Sequence, residues 1–435
     1  MLSHRSPLVV LSVLGAAASS AGAAPWIEPL TPGFYVTDLS YDGTAAAGNI
    51  TADWSYETFR WTRDSGVIPL GRGSIPALGV GGGSPDISYN GDRVSAMIVT
   101  EDGTMATLGR WTLDEGWQEA FVPLPSFVVI QDQACSSAWG LSGDGAYVCG
   151  YYLNTTTGVQ PCAWSPTLPL IDLPTTPGLR GRANAASYDS SVVVGWEDQG
   201  LGPWVPTAWR SGVKYPLGPS LGSTMAQSVS TDGSIVVGYG PDEFEGMQAA
   251  TIWRWNGSSY DAQIAGYLPD TVYGWGQSQF SGVTDDGLMA VGSNRLAFNP
   301  NLGVRAIIWT PQTGLVNGTD YLSLIGLELP ENFELRDFQA VSPDGSVIAA
   351  AGINSEFGMF QTILIHLQEP CAADFNSDRQ VEDSDFVLFA NAYDILDCSE
   401  PGMPLRCPSD INRDGMVDDA DFVLFASAYD ALLCP

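Results

Sequence analysis

Seven hairpin signatures at a spacing near fifty residues, a tryptophan at near-constant distance after six of them, and a duplicated acidic loop at the C-terminus predict a mainly β chain. The expected architecture is a seven-bladed β-propeller-like repeat domain followed by a small α-helical calcium domain. The high content of glycine (49) and proline (29) in 435 residues agrees with many short strands.

The chain opens with "MLSHRSPLVVLSVLGAAASSAGAA". A basic start, an apolar stretch and small residues before Pro25 predict a signal peptide over residues 1–23 and export to the extracellular space or cell surface. The apolar run is too short to span a bilayer, so membrane insertion is not expected. The formal charge of −32 repels phosphate backbones and anionic lipid, which argues against nucleic acid as a partner and favours cations.

The repeat domain is expected over 24–368. Its turns read "SYDGTAAAG", "SYNGDRVSA", "SGDGAYVCG", "SYDSSVVVG", "STDGSIVVG", "TDDGLMAVG" and "SPDGSVIAA", with markers Asp42, Asn90, Asp144, Asp189, Asp232, Asp286 and Asp344. Asp-Gly and Asn-Gly supply the positive φ of a tight hairpin. The following Val-Val-Gly strands are suited to burial on both faces. Trp61, Trp111, Trp164, Trp209, Trp253 and Trp309 lie 19 to 23 residues after their markers. Each is expected to fill space between sheets. The seventh unit lacks a fourth strand, and "PWIEPL" (25–30) resembles the fourth strands elsewhere, so it is expected to complete the last blade. This repeat resembles the HAF-type extracellular repeats of bacterial secreted proteins, with "CAW" (162–164), "TAW" (207–209) and "IIW" (307–309) in the strand position. That resemblance implies location and no catalytic residues.

The C-terminal domain is expected over 369–435. "CAADFNSDRQVEDSDFVLFANAYDILDC" and "CPSDINRDGMVDDADFVLFASAYDALLC" share 17 of 28 positions without a gap. Each begins a loop, 374–385 and 410–421, with oxygen donors at relative positions 1, 3, 5, 9 and 12 and a backbone carbonyl at 7. The first set is Asp374, Asn376, Asp378, Gln380, Glu382 and Asp385. The second is Asp410, Asn412, Asp414, Met416, Asp418 and Asp421. Six to eight hard oxygens at ~2.3–2.6 Å suit calcium, and two ions are expected. Arg379 stands where the turn glycine (Gly415 in the second copy) belongs, which predicts weaker binding at the first site. After each loop, Phe386, Phe389 and Tyr393, and Phe422, Phe425 and Tyr429, predict a helix with one buried stripe. A loop with only an exit helix, duplicated, resembles the dockerin family. The resemblance implies a calcium-folded plug docking onto a cohesin-like scaffold protein. Asp383–Ser384 and Asp419–Ala420 depart from the serine or threonine pairs common after the ninth position.

The four cysteines here allow two pairings symmetric with the repeat: Cys371–Cys398 with Cys407–Cys434, or Cys371–Cys434 with Cys398–Cys407. Cys149 and Cys162 flank the turn 154–157 and either face each other across a hairpin or are small buried residues.

With one histidine after the leader, His366, neither a Ser-His-Asp triad nor a histidine metal centre is expected. Acidic pairs at 101–102, 114–115, 197–198, 243/245 and 331/334 read as loop charge, and none is nominated as catalytic. Two functions follow: a secreted non-catalytic propeller that binds glycan or protein and is tethered through the calcium module, or a polysaccharide-active enzyme recruited by that module.

Overall fold

The structure is a computed structural model. It describes residues 25–50, 57–72, 83–103, 105–122, 136–154, 158–199, 203–218, 223–241, 248–272, 276–297, 303–367, 373, 375, 381–400, 402–404, 407–411 and 415–431, without the side chains of 430 and 431. The chain divides after Pro370 into a large β unit and a small C-terminal helical unit.

The large unit is propeller-like. Four consecutive strands form each antiparallel meander: 34–69, 86–119, 136–172 and 181–216 are separate four-stranded sheets. Strands 225–266 and 277–317 share one eight-stranded sheet, joined by the parallel bridge Gln248–Gln277. The last sheet is made from three late strands and one early one. Trp26–Pro29 pairs antiparallel with Met359–His366, Trp26 opposite His366 and Pro29 opposite Ile363. Gln361 Nε2 donates to the Leu30 carbonyl at 2.6 Å just beyond that pairing. The strand at 26–29 therefore completes the last sheet of the β unit, as the likeness of "PWIEPL" to the fourth strands predicts.

The turn motif has a local cause. In every hairpin the Ser or Thr side chain donates to the marker two residues on and accepts the backbone N–H five residues on. Ser40 does so with Asp42 (3.2 Å) and Ala45 (2.8 Å), and Ser230 with Asp232 (2.8 Å) and Ile235 (3.0 Å). The residues at the hairpin tips then bond to one another around the axis. Tyr41 N–H donates to Tyr89 O, Tyr89 N–H to Gly143 O, Asp144 N–H to Tyr188 O and Tyr188 N–H to Thr231 O. Thr231 N–H donates to Asp285 Oδ1, Asp285 N–H to Pro343 O, and Asp344 N–H returns to Tyr41 O. This circle satisfies backbone groups that would otherwise be orphaned at the centre.

Between sheets the core is small residues on second strands and tryptophan on third strands. Strand Val192–Asp198 is buried at every position. Trp61, Trp164, Trp209, Trp253 and Trp309 are buried, and Trp111 is half-buried. Arginines beside four of these tryptophans reach the hairpin glycine of the next sheet: Arg60 to Gly91 O, Arg110 to Gly145 O, Arg210 to Gly233 O and Arg254 to Gly287 O. At these four junctions sheet packing is thus hydrophobic with a charge-assisted bolt.

Cys149 and Cys162 do not face each other. The register sets Cys149 opposite Ala163 and Cys162 opposite Gly150, so the two thiols point to opposite faces of the sheet. Both are free and buried, Cys162 against Leu108 and Trp164, Cys149 against Leu173 and Trp209.

Candidate functional site

The helical unit carries the predicted metal loops. Of the twelve expected ligands, Asp374, Asn376, Asp378, Gln380, Asn412 and Asp414 lie outside the described residues. Glu382, Asp385, Asp410, Met416, Asp418 and Asp421 are described. Asp385 and Asp421, at position 12 of each loop, are fully buried although they open helices Asp383–Tyr393 and Asp419–Ala431. Asp385 accepts the N–H of Phe375 at 2.7 Å and of Glu382 at 3.1 Å. Asp421 accepts the N–H of Asp418 at 3.0 Å, and Asp410 accepts that of Gly415 at 2.8 Å. Val381 and Val417, at position 8, are fully buried and anchor each loop. Gly415 has φ 92°, the backbone that the glycine at position 6 was expected to adopt. Among the described residues no group of three or more His, Cys, Asp or Glu is arranged to hold a metal.

The two copies pack reciprocally. Tyr393 Oη donates to Asp419 Oδ1 at 2.6 Å, and Tyr429 Oη donates to Asp383 Oδ1. Phe389 and Phe425 stack at 5.2 Å. Cys398 and Cys407 form a disulfide, which excludes the pairing of Cys371 with Cys398. Cys371 and Cys434 lie outside the described residues. The expected buried stripe needs correction: Phe389 and Phe425 are 1 % exposed, but Phe386 is 45 % and Phe422 43 % exposed. Val387, Leu388, Val423 and Leu424 are exposed as well. In a unit this small each helix buries one of its large apolar side chains deeply, and the others meet solvent at least in part.

The large unit has a polar axis. At one end the rings of Tyr41, Tyr89 and Tyr188 pack in sequence at 5.6 Å, and Tyr89 Oη meets Thr231 Oγ1 at 3.1 Å from the far side. First strands line the rest, and β-bulges re-aim their side chains there. Asp38 and Asp86 meet between neighbouring first strands. Both share the Ile87 N–H, at 3.0 and 2.8 Å, and Asp86 also accepts the Leu141 N–H at 2.8 Å. Burial, then the charge of Asp86, pushes the Asp38 carboxyl well above its ordinary range; burial raises Asp86 too. Asp337 is pushed up to about 7 by burial, against hydrogen bonds from Ser293 and Gln339. Arg182 lies among Trp139, Trp196 and Met225. These residues were not singled out from sequence. The available signal is a charged or aromatic residue within five positions before the hairpin Ser, on a strand otherwise made of small residues.

Among the described residues the acidic pairs noted from sequence do not converge. Glu197 and Asp198 correct the loop assignment: they end a strand, are buried, and pair with Lys214 at 2.7 Å and Arg180 at 2.6 Å. Glu101, Asp102 and Glu119 line a cavity of about 450 Å³ with Thr107 and Phe121. Glu334 pairs with Arg336 at 2.9 Å. Glu243 and Glu245 lie outside the described residues. The histidine at 366 stacks on Trp26 at 3.9 Å and meets Glu28 at 3.1 Å, a closure contact.

No protein-family model and no curated protein sequence matches the chain. Solved structures do resemble it. One is an oligogalacturonate lyase of Vibrio parahaemolyticus, TM-score 0.47, 10 % identical, covering 80 % of this chain and 98 % of that one. Another is the β-propeller domain of the Trilobed protease of Pyrococcus furiosus, TM-score 0.46, 12 % identical, covering 77 % and 95 %. A third is TolB of Acinetobacter baumannii, TM-score 0.40, 10 % identical, covering 76 % of this chain and 65 % of TolB's length.

Proposed function

We propose that the chain is a secreted, non-catalytic binding or display protein. Its HAF-type propeller of seven blades presents a glycan- or protein-binding axis. Its dockerin-like terminal module folds around two calcium ions and docks to a cohesin-like domain of a cell-surface or extracellular scaffold. The observation that carries the tether is the repeated exposed segment Phe386–Val387–Leu388 and Phe422–Val423–Leu424. Exposed apolar side chains duplicated at matching positions on two reciprocally packed helices suit an interaction face. The full burial of Asp385 and Asp421 at the twelfth position of each loop supports the metal, because aspartate is rarely buried so completely. Asp383 and Asp419, at the positions tied to partner choice in the family resembled, are engaged by Tyr429 and Tyr393, which supports a partner different from the usual one.

The axial carboxyls favour binding over hydrolysis. Asp38 and Asp86 are in direct contact, whereas two-carboxylate glycoside hydrolysis needs a separation of roughly 5–10 Å. Capture by the immobilised full chain from a native secretome tests the reading. It predicts a cohesin-like domain retained in calcium, released by chelator, and lost with Val387→Asp plus Val423→Asp. Retention of no cohesin-like domain, or retention indifferent to chelator, contradicts it.

A further inference from the structure

Arg182 is a half-buried cation of this acid-rich chain that stacks on tryptophan with no carboxylate partner among the described residues. The sequence has 17 Lys and Arg against 49 Asp and Glu, so a carboxylate partner is easy to supply. Arg182 has none among the described residues, where ion pairs involve Arg63, Arg72, Arg180, Lys214, Arg336 and His366. It lies on the first strand Gly181–Ala186, and its contacts reach both neighbouring sheets, which places it at the inner edge beside the axis. The guanidinium carbon is 3.5 Å from the Trp139 ring centre and 5.8 Å from that of Trp196. Nε donates to Asn184 Oδ1 at 2.7 Å, and Nη2 meets the Met225 sulfur at 3.6 Å. Both flanking indoles, Trp139 and Trp196, have buried N–H groups with no acceptor. Burial lowers the guanidinium to about 10, so it stays charged at neutral pH.

A half-buried cation without a carboxylate adds little to a fold, and an apolar residue of similar volume would fill the space as well. A guanidinium without a carboxylate, set beside two indoles whose buried N–H groups lack an acceptor, points instead to a ligand. We infer that Arg182 is the anchor of a subsite for a small monocarboxylate whose ring stacks on tryptophan, an acidic sugar of the uronate class. The planar fork of arginine matches a carboxylate through two parallel hydrogen bonds. Stacking on Trp139 orients that fork edge-on. Trp196 stacks with the half-buried Trp204 at 4.5 Å and 16°, an aromatic platform of the kind that takes a sugar face. The net charge of −32 repels multivalent anions and leaves a singly charged ligand as the better fit. This deepens the binding role proposed for the axis and rests on it, but not on the tether.

The test is tryptophan fluorescence and calorimetric titration of the full chain with glucuronate, glucose, acetate and sulfate. Glucuronate is expected to bind and change the tryptophan emission; glucose and sulfate are expected not to bind, and acetate to bind at least tenfold more weakly. Arg182→Met should lose glucuronate binding at least tenfold, Arg182→Lys should not restore it, and Arg182→Met without ligand should melt no lower than the parent. No glucuronate binding overturns the subsite while leaving the wider binding role open to neutral glycans or proteins. Equal binding of acetate or sulfate overturns the sugar assignment. An Arg182→Met chain that melts several degrees lower shows a structural arginine and overturns the inference.

Discussion

Ser190 stands where the other hairpins place glycine. Gly43, Gly91, Gly145, Gly233, Gly287 and Gly345 have φ between 64° and 77°, and Ser190 has φ 60°. A side chain in this region costs about 1–2 kcal/mol. Ser190 Oγ is also buried without a hydrogen-bond partner, a cost of about 1 kcal/mol. Replacement by glycine returns roughly 0.5–1 kcal/mol through the greater freedom of the unfolded chain. Ser190→Gly should therefore stabilise the β unit by about 1.5 kcal/mol, a rise of ~3 °C in its melting temperature for a unit of this size. The reverse change, Gly233→Ser, should lower stability by more than ~2 kcal/mol. There a Cβ would lie 2.3 Å from Val192 Cγ2, at φ 70°. Differential scanning calorimetry and urea unfolding read both. A Ser190→Gly chain that melts at or below the parent refutes the assignment of the turn as a strained member of the glycine set.

Asp337 gives a pH dependence of known sign. Its carboxyl is raised to about 7, so the folded chain holds a proton that the unfolded chain releases near pH 4. Its contribution is fully present below about pH 4 and is lost as pH rises towards 7. Asp337→Asn should flatten that part of the stability profile; an unchanged slope between pH 4 and 7 contradicts the placement. Cys398→Ser with Cys407→Ser opens a link spanning nine residues and should destabilise the helical unit by ~2.5 kcal/mol, seen as a lower urea midpoint. A midpoint unchanged in the double variant counts against the bond. Removing residues 25–30 exposes the ladder edge of Met359–His366 and should bring aggregation and a lower melting temperature. A monomeric truncation with unchanged melting refutes closure by that strand.

Local chemistry was readable in the sequence. The hairpins follow from Ser, Asp and Gly within six residues of one another, and the closing strand from its likeness to the fourth strands. What depends on three sheets meeting was not readable. Trp139, Arg182 and Met225 lie 43 residues apart at each step and converge only at the axis. The contact between Asp38 and Asp86 has the same origin. Glu197 and Asp198 look solvated in the sequence because charge usually marks a loop; Lys214 and Arg180, their partners, come from neighbouring segments that periodicity does not pair. Helical spacing of Phe386, Phe389 and Tyr393 identifies an apolar face without saying how much of it another helix covers.

Calcium titration of the chelator-stripped full chain by isothermal calorimetry tests the central claim most directly. The account predicts two binding events, the stronger abolished by Asp421→Ala and the weaker by Asp385→Ala, with protease resistance of the C-terminal unit gained as the ions bind. A chain that takes up no calcium, and whose C-terminal unit resists protease equally with and without chelator, contradicts it.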